Sequence, residues 1–131
     1  MWIDTHCHFD VEEFAFDRTQ VAADAYAQGV EAIAVIAYLA KYWPQLLSVC
    51  QQFKQPQLLP VLGLHPCYIS EHQNTDLTQL EKHLQNNGCI AIGEIGLDTY
   101  VAEIKQPEFY QKQQQIFAEQ LASAYYSHKW S

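Results

Sequence analysis

With 131 residues, 49% of them hydrophobic and 17% charged, the chain has enough apolar material for one domain with a real core and too much for disorder throughout. Seven Lys and Arg against fifteen Asp and Glu leave a formal charge of −8, which excludes a basic surface for electrostatic capture of nucleic acid or anionic membrane. Any phosphate this chain handles therefore calls for a metal as counter-charge.

The start MWIDTH carries neither a basic segment nor an apolar signal core, and WID reads as a short first strand. Residues 17–28 (DRTQVAADAYAQ) form a helix with an Asp cap and Gly29 as its stop. Residues 30–37 (VEAIAVIA) follow as a strand whose weak alternation suits burial on both faces, as in a parallel sheet. The apolar run through VEAIAVIAYLA is far shorter than the ~20 residues that span a bilayer, so a cytoplasmic protein without a membrane partner is expected. A helix over about 39–53 is next, then a third strand near 58–63, in QPQLLPVLGLHP. An amphipathic helix over 75–86 starts at a Thr75 or Asn74 cap, and Gly88 punctuates its end. CIAI, residues 89–92, is the fourth strand, and a helix from Pro107 to about Tyr125 closes the series.

Four strands alternating with four helices call for a parallel sheet, either an open doubly wound one or part of a barrel. No linker, repeat or low-complexity tract divides the chain. The Gln-rich QKQQQ at 111–115 reads as the solvated face of the last helix. Cys7, Cys50, Cys67 and Cys89 are 43, 17 and 22 residues apart, neither a Cys-x-x-Cys zinc pattern nor a small disulfide framework, and read as reduced thiols.

The chemistry gathers at the strand ends. In IDTHCHFD, His6 and His8 are two apart and on a strand point to the same side, while Cys7 points to the other. Chance alone supplies about 0.3 such His-x-His pairs in a chain of this composition. Position adds weight, because active sites of α/β folds lie at the carboxyl ends of parallel strands. The third strand ends in GLHP with His65, and the fourth in GEIGLD with Glu94 and Asp98. Glu94 directly follows an apolar run and needs a partner if buried, either a divalent cation or one of the few basic side chains. Gly93 and Gly96 around it suggest backbone that passes close to something or takes unusual dihedrals. Asp98 can orient a ligand or cap the next segment, and Asp4 and Asp10 can hold the ring tautomers or sit exposed in turns. His72 and His83 read as surface residues.

IDTHCHFD, VLGLHP and AIGEIGLD, in this order and at these separations, resemble the TatD family of metal-dependent deoxyribonucleases, over the chain as far as about Ala122. The resemblance implies a TIM-like (β/α)8 barrel of the metal-dependent hydrolase type, of which this α/β chain carries the N-terminal half, four β/α units. It implies two divalent metal ions, Mg, Mn or Zn, with His6 and His8 holding one and Glu94 bridging to a second. His65 matches a position close to the site that touches substrate phosphate or a ligand. Phosphodiesters, typically of DNA, are hydrolysed by metal ions that lower the pKa of water and neutralise oxygens gaining charge.

The chain departs from this pattern after its fourth helix. A complete barrel needs roughly 250 residues, and the family's later His, His and Asp have no counterpart here; His128 follows the helix too soon to be one. Residues 1–131 thus read as one partial hydrolase domain in which 123–131, within ASAYYSHKWS (122–131), form an atypical tail. The expectation is a truncated, weakly active or inactive hydrolase that self-associates through its open half-barrel. Two alternatives stand beside it: a non-catalytic metal-binding or interaction fragment, or another amidohydrolase-like enzyme, against which Glu94 speaks because such enzymes often use a modified Lys there.

Overall fold

A computed structural model describes residues 1–127. Its principal elements are β1 (Trp2–Cys7), α1 (Arg18–Ala27), β2 (Val30–Ile36), α2 (Trp43–Gln52), β3 (Gln57–Leu62), α3 (Asn74–Gln85), β4 (Ala91–Ile92) and α4 (Pro107–Ser127). The strands lie side by side in the order β1-β2-β3-β4, every neighbouring pair parallel. Sequential order is that of a (β/α) barrel, whereas a doubly wound sheet reverses its order at a switch point. Of the two architectures the rhythm left open, the half-barrel is the one formed.

The sheet separates two unequal cores. Ile33 and Val35 of β2 join Trp43, Leu46 and Val49 of α2 and Leu77, Leu80 and Leu84 of α3 in the large one. Ile36 belongs instead to a small cluster with Val61 and Ala91, against which Ala34 packs. This is the period-two alternation of a strand with both faces covered, and it accounts for the unbroken apolar run of VEAIAVI. β1 is an edge strand and leaves Trp2 and Ile3 70% and 58% exposed.

Several element boundaries differ from the sequence reading. α2 begins at Trp43 after a 3-10 turn at Ala40–Tyr42, with Pro44 in its first turn, where a missing N–H costs nothing. Gln73, not Asn74 or Thr75, caps α3: its N–H reaches Asp76 Oδ2 at 2.8 Å in a reciprocal capping box. No side-chain bond caps α1, although Asp17 stands at its cap position, while Gly29 (φ 93°) does stop it. β4 is two residues long, yet pairing continues around it through Ile90 N–H to Pro60 O at 2.9 Å and Gly93 N–H to Leu62 O at 3.0 Å. α4 runs through Ser127, so 123–127 continue the helix, and the remainder of ASAYYSHKWS, His128 included, lies outside the described residues. The inward face of α4 is Gln113, Ile116, Gln120 and Ala124. QKQQQ is therefore not wholly a solvated face, because Gln113 is 1% exposed.

Candidate metal centre

β1 carries the first two side chains to the site. Its register against β2 slips between Asp4 and Cys7, where three steps on β1 match two on β2. Such a bulge leaves a spare backbone donor and re-aims side chains. Asp4 Oδ1 accepts the His6 N–H at 3.0 Å within this irregular stretch. Beyond it Cys7 packs toward the helix-side core, and His6 and His8 point away from it together, their rings edge to face with centroids 5.3 Å apart. His8 Nδ1 lies 2.7 Å from Ile36 O. A carbonyl can only accept, so Nδ1 carries the proton and, in the neutral ring, Nε2 is a bare lone pair.

Glu94 reaches the same place from the end of β4. Its backbone is left-handed (φ 56°), a conformation that costs a side-chain-bearing residue on the order of 1–3 kcal/mol and that accumulates at functional sites. The approach is tight: a Cβ on Gly63 would stand 2.1 Å from Gly93 O, so β3 must be bare where the chain turns toward Glu94. Glu94 Oε1 lies 3.3 Å from His6 Nε2 and Oε2 lies 3.4 Å from His8 Nε2. Oε2 is buried and has no hydrogen-bond partner. Among the described residues no Lys or Arg pairs with Glu94; its ion-pair contacts are His6, His8 and His65.

Two acceptors, the His8 lone pair and a carboxylate oxygen, thus face each other with no donor between them. The arrangement suits a cation. One ligand atom from each of His6, His8 and Glu94 lies within 4.8 Å of the others, and imidazole with carboxylate suits zinc and manganese, with magnesium favoured less by the nitrogens. These residues fit a metal ion and could hold one.

His65 comes to the rim in a different state. Its Nδ1 accepts the Cys67 N–H at 3.0 Å, so the neutral ring carries its proton on Nε2, 3.8 Å from Glu94 Oε1. That is too far for a hydrogen bond. Where His8 offers a lone pair, His65 offers a donor. It stands beside the metal ligands and could give a hydrogen bond to an oxygen bound there.

Neither Asp4 nor Asp10 bonds a ring nitrogen; the Ile36 carbonyl fills that role for His8. Asp10 is buried, one of its oxygens has no partner, and burial pushes its carboxyl above the usual range. Asp98 caps the next segment: its Oδ1 accepts the Tyr100 N–H at 2.7 Å, the main reason its carboxyl sits below the usual range. His72 is not a surface residue. It is 2% exposed and donates from Nε2 to His65 O at 2.7 Å, and burial lowers its pKa. His83 is half-buried, edge-on to Trp43.

Sequence reasoning missed the side chains that fasten the loops. Arg18, from the start of α1, donates to the carbonyls of Phe9, Asp10 and Val11 at 2.9, 3.1 and 2.9 Å, pinning the turn after β1. Gln120 accepts from Leu64 N at 2.8 Å, and Gln113 accepts from Asp98 N at 2.7 Å while donating to Asp98 O at 2.8 Å. The available signal was spacing: 113, 116, 120 and 124 share one helical face. Lys112 Nζ also donates to His72 O at 2.6 Å. Tyr38 and Tyr68 were missed too, and they line the same cavity as His8, His65 and Glu94.

Comparison with known proteins yields a consistent picture. Residues 3–130 match the family model described as TatD related DNase. The chain is similar to an uncharacterized metal-dependent hydrolase, YjjV, of Escherichia coli K12, 37% identical over 125 residues that are 94% of this chain and 46% of the relative. It is 31% identical over 113 residues to the 3'-5' ssDNA/RNA exonuclease TatD of Pectobacterium parmentieri, covering 86% of this chain and 41% of that protein. The crystal structure of the Escherichia coli YjjV TatD homologue superposes with a TM-score of 0.83 at 34% identity, covering 98% of this chain and 48% of that one. The chain thus spans about half the length of the curated relatives it matches.

Proposed function

The chain belongs to the TatD-related DNase family of metal-dependent hydrolases, and from that membership we propose that it binds a divalent metal ion on His6, His8 and Glu94 and serves phosphodiester hydrolysis, with DNA as substrate. The observation that carries this reading is the buried Glu94 Oε2 facing His8 Nε2 with no donor for either. A divalent ion bound there supplies Lewis-acid charge for a phosphoryl oxygen and lowers the pKa of a water. The chain's own groups do the rest. Ile36 O fixes the His8 tautomer so that a lone pair faces inward. His65, its proton held on Nε2 by the Cys67 N–H, donates to a phosphoryl oxygen and helps offset charge that grows in the transition state. The left-handed Glu94 backbone holds the carboxylate toward both imidazoles.

The three ligand atoms could hold one ion, and a second ion needs donors beyond those the described residues gather there. One ion per chain and slow turnover by this chain alone are the corresponding expectations. Cleavage of a single-stranded oligonucleotide and of bis(p-nitrophenyl) phosphate, with Mn, Zn or Mg added, tests the proposal alongside metal analysis. A slow rate that EDTA and Glu94→Gln both abolish supports it. Cleavage that survives both sinks it, and one tightly held ion without any cleavage assigns the chain to metal binding instead.

A further inference from the structure

We infer that Tyr38 and Tyr68 form a stacking wall for one unpaired nucleobase beside the metal centre, an inference that rests on the phosphodiesterase reading above. The cavity holding His8, His65 and Glu94 has a volume of about 290 Å³, and the two tyrosines line it with them. Tyr38, just beyond β2, stands edge-on to His8 at 5.8 Å between ring centroids. Tyr68, in the 3-10 turn after β3, stands edge-on to His65 at 5.7 Å. The two phenol rings are 5.0 Å apart and tilted by 40°, and Tyr42 extends the surface 5.6 Å from Tyr38.

Packing does not account for this cluster. None of the three tyrosines belongs to either hydrophobic core, and Tyr42 and Tyr68 remain 40% and 38% exposed. Charge does not suit a phosphate track either. The cavity contains no Lys or Arg, Glu13 lies on its wall, and the chain carries −8 overall. A nucleic acid is thus held at the wall by an uncharged flat face or not at all. Every base has such a face, and removing a stacking ring from a single-strand site lowers affinity by roughly 5- to 150-fold. The volume of about 290 Å³ lies just under the ~300–1,000 Å³ range of small-molecule pockets, room for no more than one nucleotide. A base still paired and stacked in a duplex cannot offer its face, so the wall selects unpaired ends.

Short single-stranded probes with a phosphorothioate linkage, one carrying 2-aminopurine and one abasic at that position, test the wall against the full chain in Mn²⁺. Binding is followed by anisotropy and stacking by quenching of 2-aminopurine. The base-bearing probe binds at least ~5-fold more tightly and is quenched; Tyr68→Leu and Tyr38→Leu remove most of that preference, and Tyr68→Phe and Tyr38→Phe keep it. Equal affinity for both probes, a preference intact in the Leu variants, or no binding of either overturns the wall. Metal content measured on the same samples separates the two ideas: metal bound without base preference leaves the hydrolase reading standing, and base preference without metal uptake leaves the wall standing. Should Tyr38→Leu fail to fold, the half-exposed Tyr68 carries the test.

Discussion

Replacing Glu94 by Gln should separate the metal reading from a merely structural carboxylate, and the two readings differ in sign. Glu94 places Oε1 3.3 Å from His6 Nε2 and Oε2 3.4 Å from His8 Nε2. In the metal-free protein His8 Nε2 and Glu94 Oε2 are two acceptors crowded together, so the amide introduced by Glu94→Gln gives them a donor, and metal-free stability holds or rises. With a divalent ion at 100 times its dissociation constant, the wild-type chain gains about 2.7 kcal/mol, or about 10 °C in Tm for a domain of this size. A variant that binds ~100-fold more weakly gains only about 0.4 kcal/mol at the same concentration, or roughly 1.5 °C. Thermal unfolding by circular dichroism, with and without Zn²⁺ or Mn²⁺, reads both quantities. An equal metal-induced shift in the two proteins would refute the ligand assignment. A metal-free variant clearly less stable than wild type would refute the crowded-acceptor argument.

Gln120→Leu strips the partner from the buried Leu64 N–H and should cost about 1–3 kcal/mol, lowering the urea midpoint by about 1 M; an unchanged midpoint contradicts the clamp, and Gln113→Leu tests the same idea at Asp98. His72 has a folded pKa lowered from 6.5 by burial, so the unfolded chain binds more protons in the window just below that value. Its contribution is complete above about pH 6.5 and lost as pH falls beneath it. The wild-type stability profile should therefore slope more steeply than that of His72→Gln in the window just below about pH 6.5, and parallel profiles would rule this out. Among the thiols, Cys50 is pushed up to about 12 by burial, Cys7 and Cys67 are raised chiefly by the same cause, and Cys89 is 1% exposed. Iodoacetamide at about pH 8 should label the native chain slowly at all four, and one rapidly alkylated thiol would show an error in this account.

What was legible in the sequence was what periodicity and punctuation encode. The β, α rhythm showed through VEAIAVIA, GLHP and the Gly29 stop, and the His6, His8 and Glu94 cluster could be read from strand ends because parallel strands deliver their carboxyl ends to one edge. Less legible were features set by contacts distant in sequence. Gln113 looked solvated because four Gln residues and one Lys make up 111–115, and only the unpaired backbone of Asp98 explains its burial. His72 looked like a loop residue for the same reason: its partner, His65 O, is a carbonyl and carries no sequence signal. From the rhythm alone the barrel-like strand order could not be told from a doubly wound one, since both share it until the pairing is known; it was the resemblance carried by IDTHCHFD, VLGLHP and AIGEIGLD that implied the half-barrel the strands form.

These hidden contacts have a common physical cause. At the carboxyl edge the strands diverge into loops, and their backbone groups lose ladder partners just where the candidate ligands must be held still. A buried N–H without a partner costs about 1–3 kcal/mol, so other side chains take over: from the helices Arg18 for the turn behind His8, Gln120 for Leu64 beside His65 and Gln113 for Asp98 beyond Glu94, and from the loop before α3 His72 for the His65 carbonyl, with Lys112 of α4 holding the His72 carbonyl in turn. The Arg18, Gln120 and Gln113 clamps each lie one or a few residues from a proposed ligand or donor without touching it, and His72 holds the backbone of His65 itself. The geometry of the site is therefore set from the helix side of the sheet, and substitutions there should loosen metal binding as well as stability. Gln113→Leu and Gln120→Leu should accordingly weaken Mn²⁺ affinity by about 10- to 100-fold, the range seen for groups supporting metal ligands. Calorimetric titration of these variants at a temperature where they remain folded would measure this, and wild-type affinity in both would show that the clamps serve stability alone.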